Sequence, residues 1–205
     1  MNRKLTVLVA SAVALLLSAC NSLTSIVGVA MDTPEAWSKV QEIIDKNVDA
    51  STWKLVSLEM NQEPGKGKEL NNDLYYCSVV MVDKDGAAWQ QAFFLNGIVG
   101  DLSRYREGTD FSTTPALDVK TLTPEAYAKQ IEEAKKLIPT DYKFECVETY
   151  SLDNMVEEGS PKCRFNFNIT EKDAKPVSNA GRTVTEYYEV PFVVDEQGVV
   201  TMLEE

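Results

Sequence analysis

Two stretches of the sequence begin in the same way and are followed by similar patterns. Thr33-Pro34-Glu35-Ala36 and Thr123-Pro124-Glu125-Ala126 each combine a favoured N-cap residue, a proline suited to the first helical position and an acidic first turn. Apolar residues then recur at helical spacing over residues 37–48 and 127–138. Each stretch therefore predicts an amphipathic helix.

Segments with the alternation of β-strands follow each predicted helix. In the first half they lie at residues 53–58, 75–81 and 89–95, and in the second at 142–147, 163–169 and 183–194. Each half then ends in a hairpin turn that contains glycine, at Gly97 and at Gly198. The two halves thus present the same predicted elements in the same order.

This order predicts an α+β protein built from two tandem repeats, each of one helix followed by a four-stranded antiparallel meander. The boundaries that we expect are a signal peptide at 1–19, a lipidated tether at 20–31, a first repeat at 32–102, a connector at 103–122 and a second repeat at 123–205. Convergence of two ordinary α+β segments is the alternative. Whether the repeats form one sheet or two is open. The element order looks like the cystatin-like and half-NTF2-like folds, and it is similar to the tandem repeats of beta-lactamase inhibitory protein.

Charge and composition narrow the possible partners and chemistry. The chain has 32 acidic and 20 basic residues, a formal net charge of −12, and no histidine. Nucleic acid is not an expected partner, because phosphate binding needs clustered Lys and Arg. The missing histidine removes the usual general base and the commonest metal ligand, and we predict no metal site. With no catalytic pattern in the sequence, we expect a protein that is not an enzyme.

The N-terminal segment has the parts of a secretory signal. Arg3 and Lys4 precede an apolar run at residues 5–17, which Leu17-Ser18-Ala19-Cys20 closes. This closing motif resembles the lipobox of bacterial lipoproteins. The resemblance implies cleavage between Ala19 and Cys20, a diacylglyceryl thioether on Cys20 and an acyl chain on its new amino group; no other cofactor is expected. A plain signal, or a transmembrane helix, is the alternative, although the apolar run is short of the about 20 residues that a span needs.

The lipoprotein resemblance also implies an address. In enterobacterial lipoproteins, an Asp after the lipidated cysteine favours retention in the inner membrane, whereas here the residue is Asn21. We therefore expect the periplasmic side of the outer membrane. The acidic chain would be repelled by an anionic bilayer surface, so attachment should depend on the lipid.

The other three cysteines are Cys77, Cys146 and Cys163. Export would place them in an oxidising compartment, where disulfides persist. Cys146 and Cys163 fall on the apolar faces of two consecutive predicted strands, so we expect them to oppose each other and to form a disulfide. Cys77 would then remain a buried thiol. A Cys77–Cys163 bond between the halves is the alternative.

Adjacent aromatic pairs in the predicted strands should place one ring on each face of a sheet. We take Tyr76, Phe93 and Tyr187 as a candidate binding surface, with packing between the two halves as the alternative. The function expected is therefore a membrane-anchored, non-catalytic binding or assembly module that faces the periplasm. A cationic envelope protein would suit its charge. An inhibitor of a basic cell-wall enzyme and a carboxylate- or Ser/Lys-based hydrolase are the alternatives.

Overall fold

The computed structural model describes residues 28–62, 70–173, 177–179 and 182–203. The predicted signal peptide, Ala19, the predicted lipidation site Cys20 and Asn21 lie outside these residues. In the described part of the chain, no helix is long and apolar enough to cross a membrane.

Two helices begin at the prolines that the sequence singles out. Helix α1 spans Pro34–Asn47 and helix α2 spans Pro124–Leu137. The Thr123 hydroxyl caps α2 by accepting the Ala126 N–H at 3.2 Å. The Thr33 hydroxyl instead donates to the Ala30 carbonyl at 2.7 Å, which ties the chain before α1 to its first turn.

The described strands form one large antiparallel sheet and a separate hairpin. The strand order in the sheet is β10-β9-β6-β5-β1-β2-β3-β4, and β7 pairs with β8 alone. The bounds are β1 Lys54–Gln62, β2 Leu74–Val82, β3 Ala88–Phe94, β4 Ser103–Arg104, β5 Tyr142–Asp153, β6 Cys163–Glu171, β7 Val177–Asn179, β8 Arg182–Val184, β9 Tyr188–Val194 and β10 Val200–Met202.

The predicted arrangement of two helix-plus-four-strand repeats is wrong. The described part of the chain is mostly β, with one eight-stranded sheet, the separate β7–β8 hairpin and two helices. The strands of the two halves form one sheet because β1 pairs with β5, from Ser57↔Asp153 to Asn61↔Thr149. Both strands would otherwise present unpaired N–H and C=O groups at a sheet edge, and pairing satisfies them in one continuous ladder. The predicted strand at 183–194 is also interrupted, because β8 leaves the sheet to pair with β7.

Both helices cover the same face of this sheet. The Trp37 ring of α1 stacks on the Tyr127 ring of α2, with centroids 5.5 Å apart, and both side chains are fully buried. Tyr150 and Phe165, from neighbouring strands, continue this aromatic stack at a centroid distance of 5.6 Å. The Trp37 indole donates to the Leu122 carbonyl at 2.7 Å, so burial leaves its N–H satisfied.

A smaller apolar cluster covers one end of the opposite face. Val56, Val80, Val82 and Ala88 point to this face from the sheet, and Phe111 packs against them. Phe111 lies between β4 and α2, so the segment that joins them folds over this end of the sheet. Both helices lie on the other side of the sheet and do not cover this face.

Candidate binding face of the sheet

A row of exposed or half-buried side chains crosses the sheet on the face opposite the helices. Glu59 is the clearest member: Leu58 and Met60 are buried in the core beneath the helices, so the alternation of the strand directs Glu59 to the other face. Its register partners continue the row across seven strands. We call this set the exposed row; its members are Ala92, Ser78, Glu59, Ser151, Arg164, Val193 and Thr201.

The exposed row is long enough to serve as a protein-binding surface. Neighbouring strands lie about 4.8 Å apart, so seven strands span roughly 29 Å. None of its members is buried. On one side it is bordered by the Phe111 cluster, and on the other by buried polar side chains, among them Asn61 and Asn168. The exposed row therefore forms a solvent-accessible band, and buried side chains border it on the same face.

Beyond the row, toward Asn168, two carboxyl groups approach each other. The Glu148 carboxyl is half-buried beside Glu189, and burial, together with the charge of Glu189 and a hydrogen bond to it, raises the pKa of Glu148 above its usual value. Asn166 donates its side-chain amide to Glu189 at 2.5 Å. No ion pair involving Glu59, Glu148 or Glu189 is found among the described residues.

Several acidic residues on the helices, in contrast, form ion pairs. Glu42, Glu132 and Glu133 each lie 2.8 Å from a lysine on the same helix. Such exposed pairs contribute little to stability. On the open face, by contrast, Glu59, Glu148 and Glu189 form no ion pair among the described residues.

Of the three aromatic residues predicted to form a binding surface, only Tyr76 lies on the open face beside the row. Phe93 is 2% exposed and belongs to the core beneath the helices, because β3 directs Phe94 to the open face instead. The Tyr76 and Phe94 rings lie 5.4 Å apart, with Tyr75 beside them. Tyr187 is 41% exposed and precedes β9, and three strands separate β9 from β2 in the sheet. The structure therefore does not bring the three residues together.

The cysteines do not have the opposition on which the predicted disulfide depends. Cys146 pairs with Asn168, whereas Cys163 pairs with Leu152. Five residues along β6 separate the two positions, about 17 Å at strand spacing and far beyond disulfide reach. Irregularities in register on both sides of Cys146 also turn it away from the helix-side core that Cys163 contacts. The alternative partner Cys77 lies three strands from Cys163, roughly 14 Å away.

The remaining expectations about chemistry concern metals and nucleophiles. Within the described ranges, no group of three or more His, Cys, Asp or Glu side chains is arranged to hold a metal ion. Where a lysine ammonium in this part of the chain makes a hydrogen bond, the acceptor is a carboxylate or a backbone carbonyl, and none is hydrogen-bonded to a serine hydroxyl. The closest approach to a catalytic arrangement is therefore the Glu148–Glu189 pair.

The sequence analysis missed the two charged members of the exposed row, Glu59 and Arg164. A signal for Glu59 was present, since a single acid between Leu58 and Met60 fits the alternation of a strand. What the sequence did not contain was the β1–β5 pairing that places Glu59 and Arg164 in one row. Comparison of the chain with protein-family models, with curated proteins and with solved structures finds no match.

Proposed function

We propose that this protein is a lipid-anchored, non-catalytic binding or assembly module of the bacterial envelope, and that the open face of its sheet holds the partner. The anchor is the lipid on Cys20, and the location is the periplasmic side of the outer membrane. The lipobox resemblance and Asn21 support the anchor and the location. The exposed row is the observation that carries the binding role.

A solvent-exposed face of an antiparallel sheet can be stable without a partner, but this face has features of a contact surface. Three members of the row have small side chains, the central Ser151 together with Ser78 and Ala92, so a partner could approach the sheet closely there. At the adjoining positions the Tyr76 and Phe94 rings offer apolar area, and aromatic residues are enriched at protein interfaces. Glu59, whose charge acts on Tyr76, has no ion pair among the described residues and suits a partner with a basic surface, such as a cationic envelope protein. Inhibition of a basic cell-wall enzyme would be one form of this role.

Site-specific photocrosslinking in intact cells tests the surface. A benzophenone amino acid placed at Glu59 or Arg164 should give a discrete adduct. The same amino acid at Glu35 or Lys129, which are exposed on α1 and α2, should give none. In a chain that carries the photoreactive amino acid at position 59, the additional substitution Ser151→Lys should abolish the adduct. The long side chain at the centre of the row would keep the partner from contacting the sheet. Equal adducts from the sheet and the helices would refute the proposal.

Metabolic labelling tests the anchor separately. Radiolabelled palmitate should mark the wild-type chain and should not mark Cys20→Ser, and the wild type should fractionate with outer membranes. Label that persists on Cys20→Ser would contradict lipidation at this residue, whatever the sheet face binds.

A carboxylate-based hydrolase is the second candidate function, and the Glu148–Glu189 pair is the observation that favours it. A carboxyl with a raised pKa can act as a general acid beside an ionised partner. Incubation with purified peptidoglycan sacculi tests this role. Release of fragments by the wild type, but not by Glu148→Gln, would support hydrolysis. Sacculi that remain intact with the wild type would refute the hydrolase role, and the binding role would be the one that remains.

A further inference from the structure

An open cavity of about 670 Å³ lies at the end of the sheet where β1 begins and β2 ends. Its apolar walls come from the last turn of α1, from the start of β1 and from the segment before α2; Ile44, Val48, Trp53, Leu55 and Leu117 supply them. This size and lining are typical of sites for small ligands. The exposed row lies on the open face and contributes none of the lining residues.

Two lysines on the rim of this cavity have no carboxylate within ion-pair distance among the described residues. Lys54 is the first residue of β1 and pairs in register with Val82, two residues before Lys84, so the two lysines flank the same end of the sheet. The Lys54 ammonium donates to the backbone carbonyls of Ser112 and Phe111, at 2.6 and 3.3 Å. These contacts hold the charge in place without neutralising it.

The carboxylates of Asp83 and Asp118, near this rim, accept hydrogen bonds from neighbouring residues. The Asp83 carboxylate accepts the N–H groups of Asp85 and Ala87 and the Trp89 indole, each at 2.9 Å. Asp118 accepts the Lys120 N–H at 2.9 Å. Those hydrogen bonds direct the two carboxylates into their own turns.

Two further carboxylates near the cavity, Asp45 and Asp110, also have partners. Asp45 is paired with the Lys120 ammonium at 3.0 Å, at the end of the cavity formed by α1. Asp110 accepts the Ser112 N–H at 2.8 Å, and this bond and the nearby charge of Lys54 both lower the pKa of Asp110. Of the three lysines that line the cavity, Lys120 is paired with Asp45, whereas Lys54 and Lys84 have no ion pair among the described residues, so a negative group would find its free cationic contacts at their end.

We propose that this cavity binds an anionic amphiphile. The apolar tail lies against Val48, Trp53 and Leu117, and the acidic head group lies at Lys54 and Lys84. The charge arrangement selects the orientation, since the opposite one would place the head group beside Asp45 and the negative end of α1. In a chain with a net charge of −12, such a site needs locally unpaired cations, which this rim supplies.

The test uses 8-anilino-1-naphthalenesulfonate as the anionic probe and N-phenyl-1-naphthylamine as its uncharged analogue. Both are titrated by fluorescence against the full chain carrying Cys20→Ser, which keeps any covalent lipid out of the assay. Lys84→Glu should weaken the anionic probe about tenfold and leave the neutral one within about twofold, because only the head-group contact is reversed. Val48→Gln should weaken both probes about tenfold, because it places a polar amide in the apolar wall without changing the charge.

A matched control comes from the second open cavity, of about 790 Å³, whose rim carries Lys162. Lys162→Glu changes the net charge as Lys84→Glu does, and it should leave both probes within about twofold of the unaltered chain. Equal weakening by the two lysine variants would show general charge repulsion and overturn the proposal. So would unchanged binding in Val48→Gln with an unchanged circular dichroism spectrum.

A competition experiment identifies the source of the amphiphile. Free dodecanoate should displace the anionic probe, and Lys84→Glu should weaken this displacement. If phosphatidylglycerol vesicles bind the chain while dodecanoate does not displace the probe, the lysines contact a membrane surface and the cavity proposal is wrong. Because the exposed row contributes no residue to the cavity, either result leaves the partner-binding proposal to its own crosslinking test.

Discussion

Replacing Tyr127 with phenylalanine should destabilise the protein through one lost hydrogen bond. Tyr127 is fully buried in α2, and its hydroxyl donates to the Met31 carbonyl, which belongs to a residue that is also fully buried. Burial, followed by the charge of Asp32, raises the pKa of the Tyr127 phenol, so the group remains a protonated donor at neutral pH. Phenylalanine keeps the ring and removes only this donor.

The structure limits the expected magnitude. A buried carbonyl without a partner costs about 1–3 kcal/mol. The stacking on Trp37 and the edge contact with Tyr150, at centroid distances of 5.5 and 4.7 Å, should survive. For a chain of this length, 1 kcal/mol corresponds to about 2–4 °C in melting temperature. We therefore expect Tyr127→Phe to lower the melting temperature by roughly 2–12 °C.

Urea unfolding monitored by circular dichroism gives the free energy of unfolding directly. The control is Tyr142→Phe, since the half-buried Tyr142 packs its ring edge-on to Tyr188, and its hydroxyl makes no hydrogen bond among the described residues. Its loss should cost less than about 0.5 kcal/mol. If the two variants unfold at the same urea concentration, the Tyr127–Met31 hydrogen bond does not anchor the segment before α1.

Four further results are expected. Burial raises the pKa of Cys77 to about 12, so at pH 8 this thiol should react with Ellman's reagent far more slowly in the native protein than in urea. Asp32→Asn removes a partly buried ion pair and should cost about 1 kcal/mol in urea unfolding, whereas Glu133→Gln, which removes a more exposed pair, should cost almost nothing. Glu148 is protonated in both states well below pH 4.5 and is penalised only in the folded state when ionised, so Glu148→Gln should raise the melting temperature at pH 7 but not at pH 3.5. Residues 32–110 alone should show no cooperative melt, because they lack both the pairing of β5 with β1 and the stacking partner of α1.

Local signals in the sequence predicted the helices well. The Thr-Pro-Glu-Ala starts and the apolar stripes depend on residues within a few positions of each other, and the helices begin at Pro34 and Pro124. The pairing of β1 with β5 depends on residues about 90 positions apart, and no local pattern encodes it. The sequence could therefore indicate strands without deciding how many sheets they form.

The candidate binding face was harder to predict, because it depends on register. In an adjacent aromatic pair, a shift of one residue exchanges the buried ring for the exposed one, and this is the error at Phe93 and Phe94. An irregularity in β5 likewise changes the face on which Cys146 lies. Period-two alternation identifies the members of a face only as long as the strand is regular.

The edges of the sheet bear on which surface can receive a partner. The outermost strands are the shortest of the sheet, since β4 spans only Ser103–Arg104 and β10 only Val200–Met202. Short edge strands offer few unpaired backbone groups, which limits the addition of a strand from another chain. The helices occupy one face, and Phe111 covers one end of the other. Recognition through the sheet would then depend on side chains rather than on backbone pairing. The exposed row is where such contacts could form, and for this reason a single long substitution at Ser151 should be enough to block them.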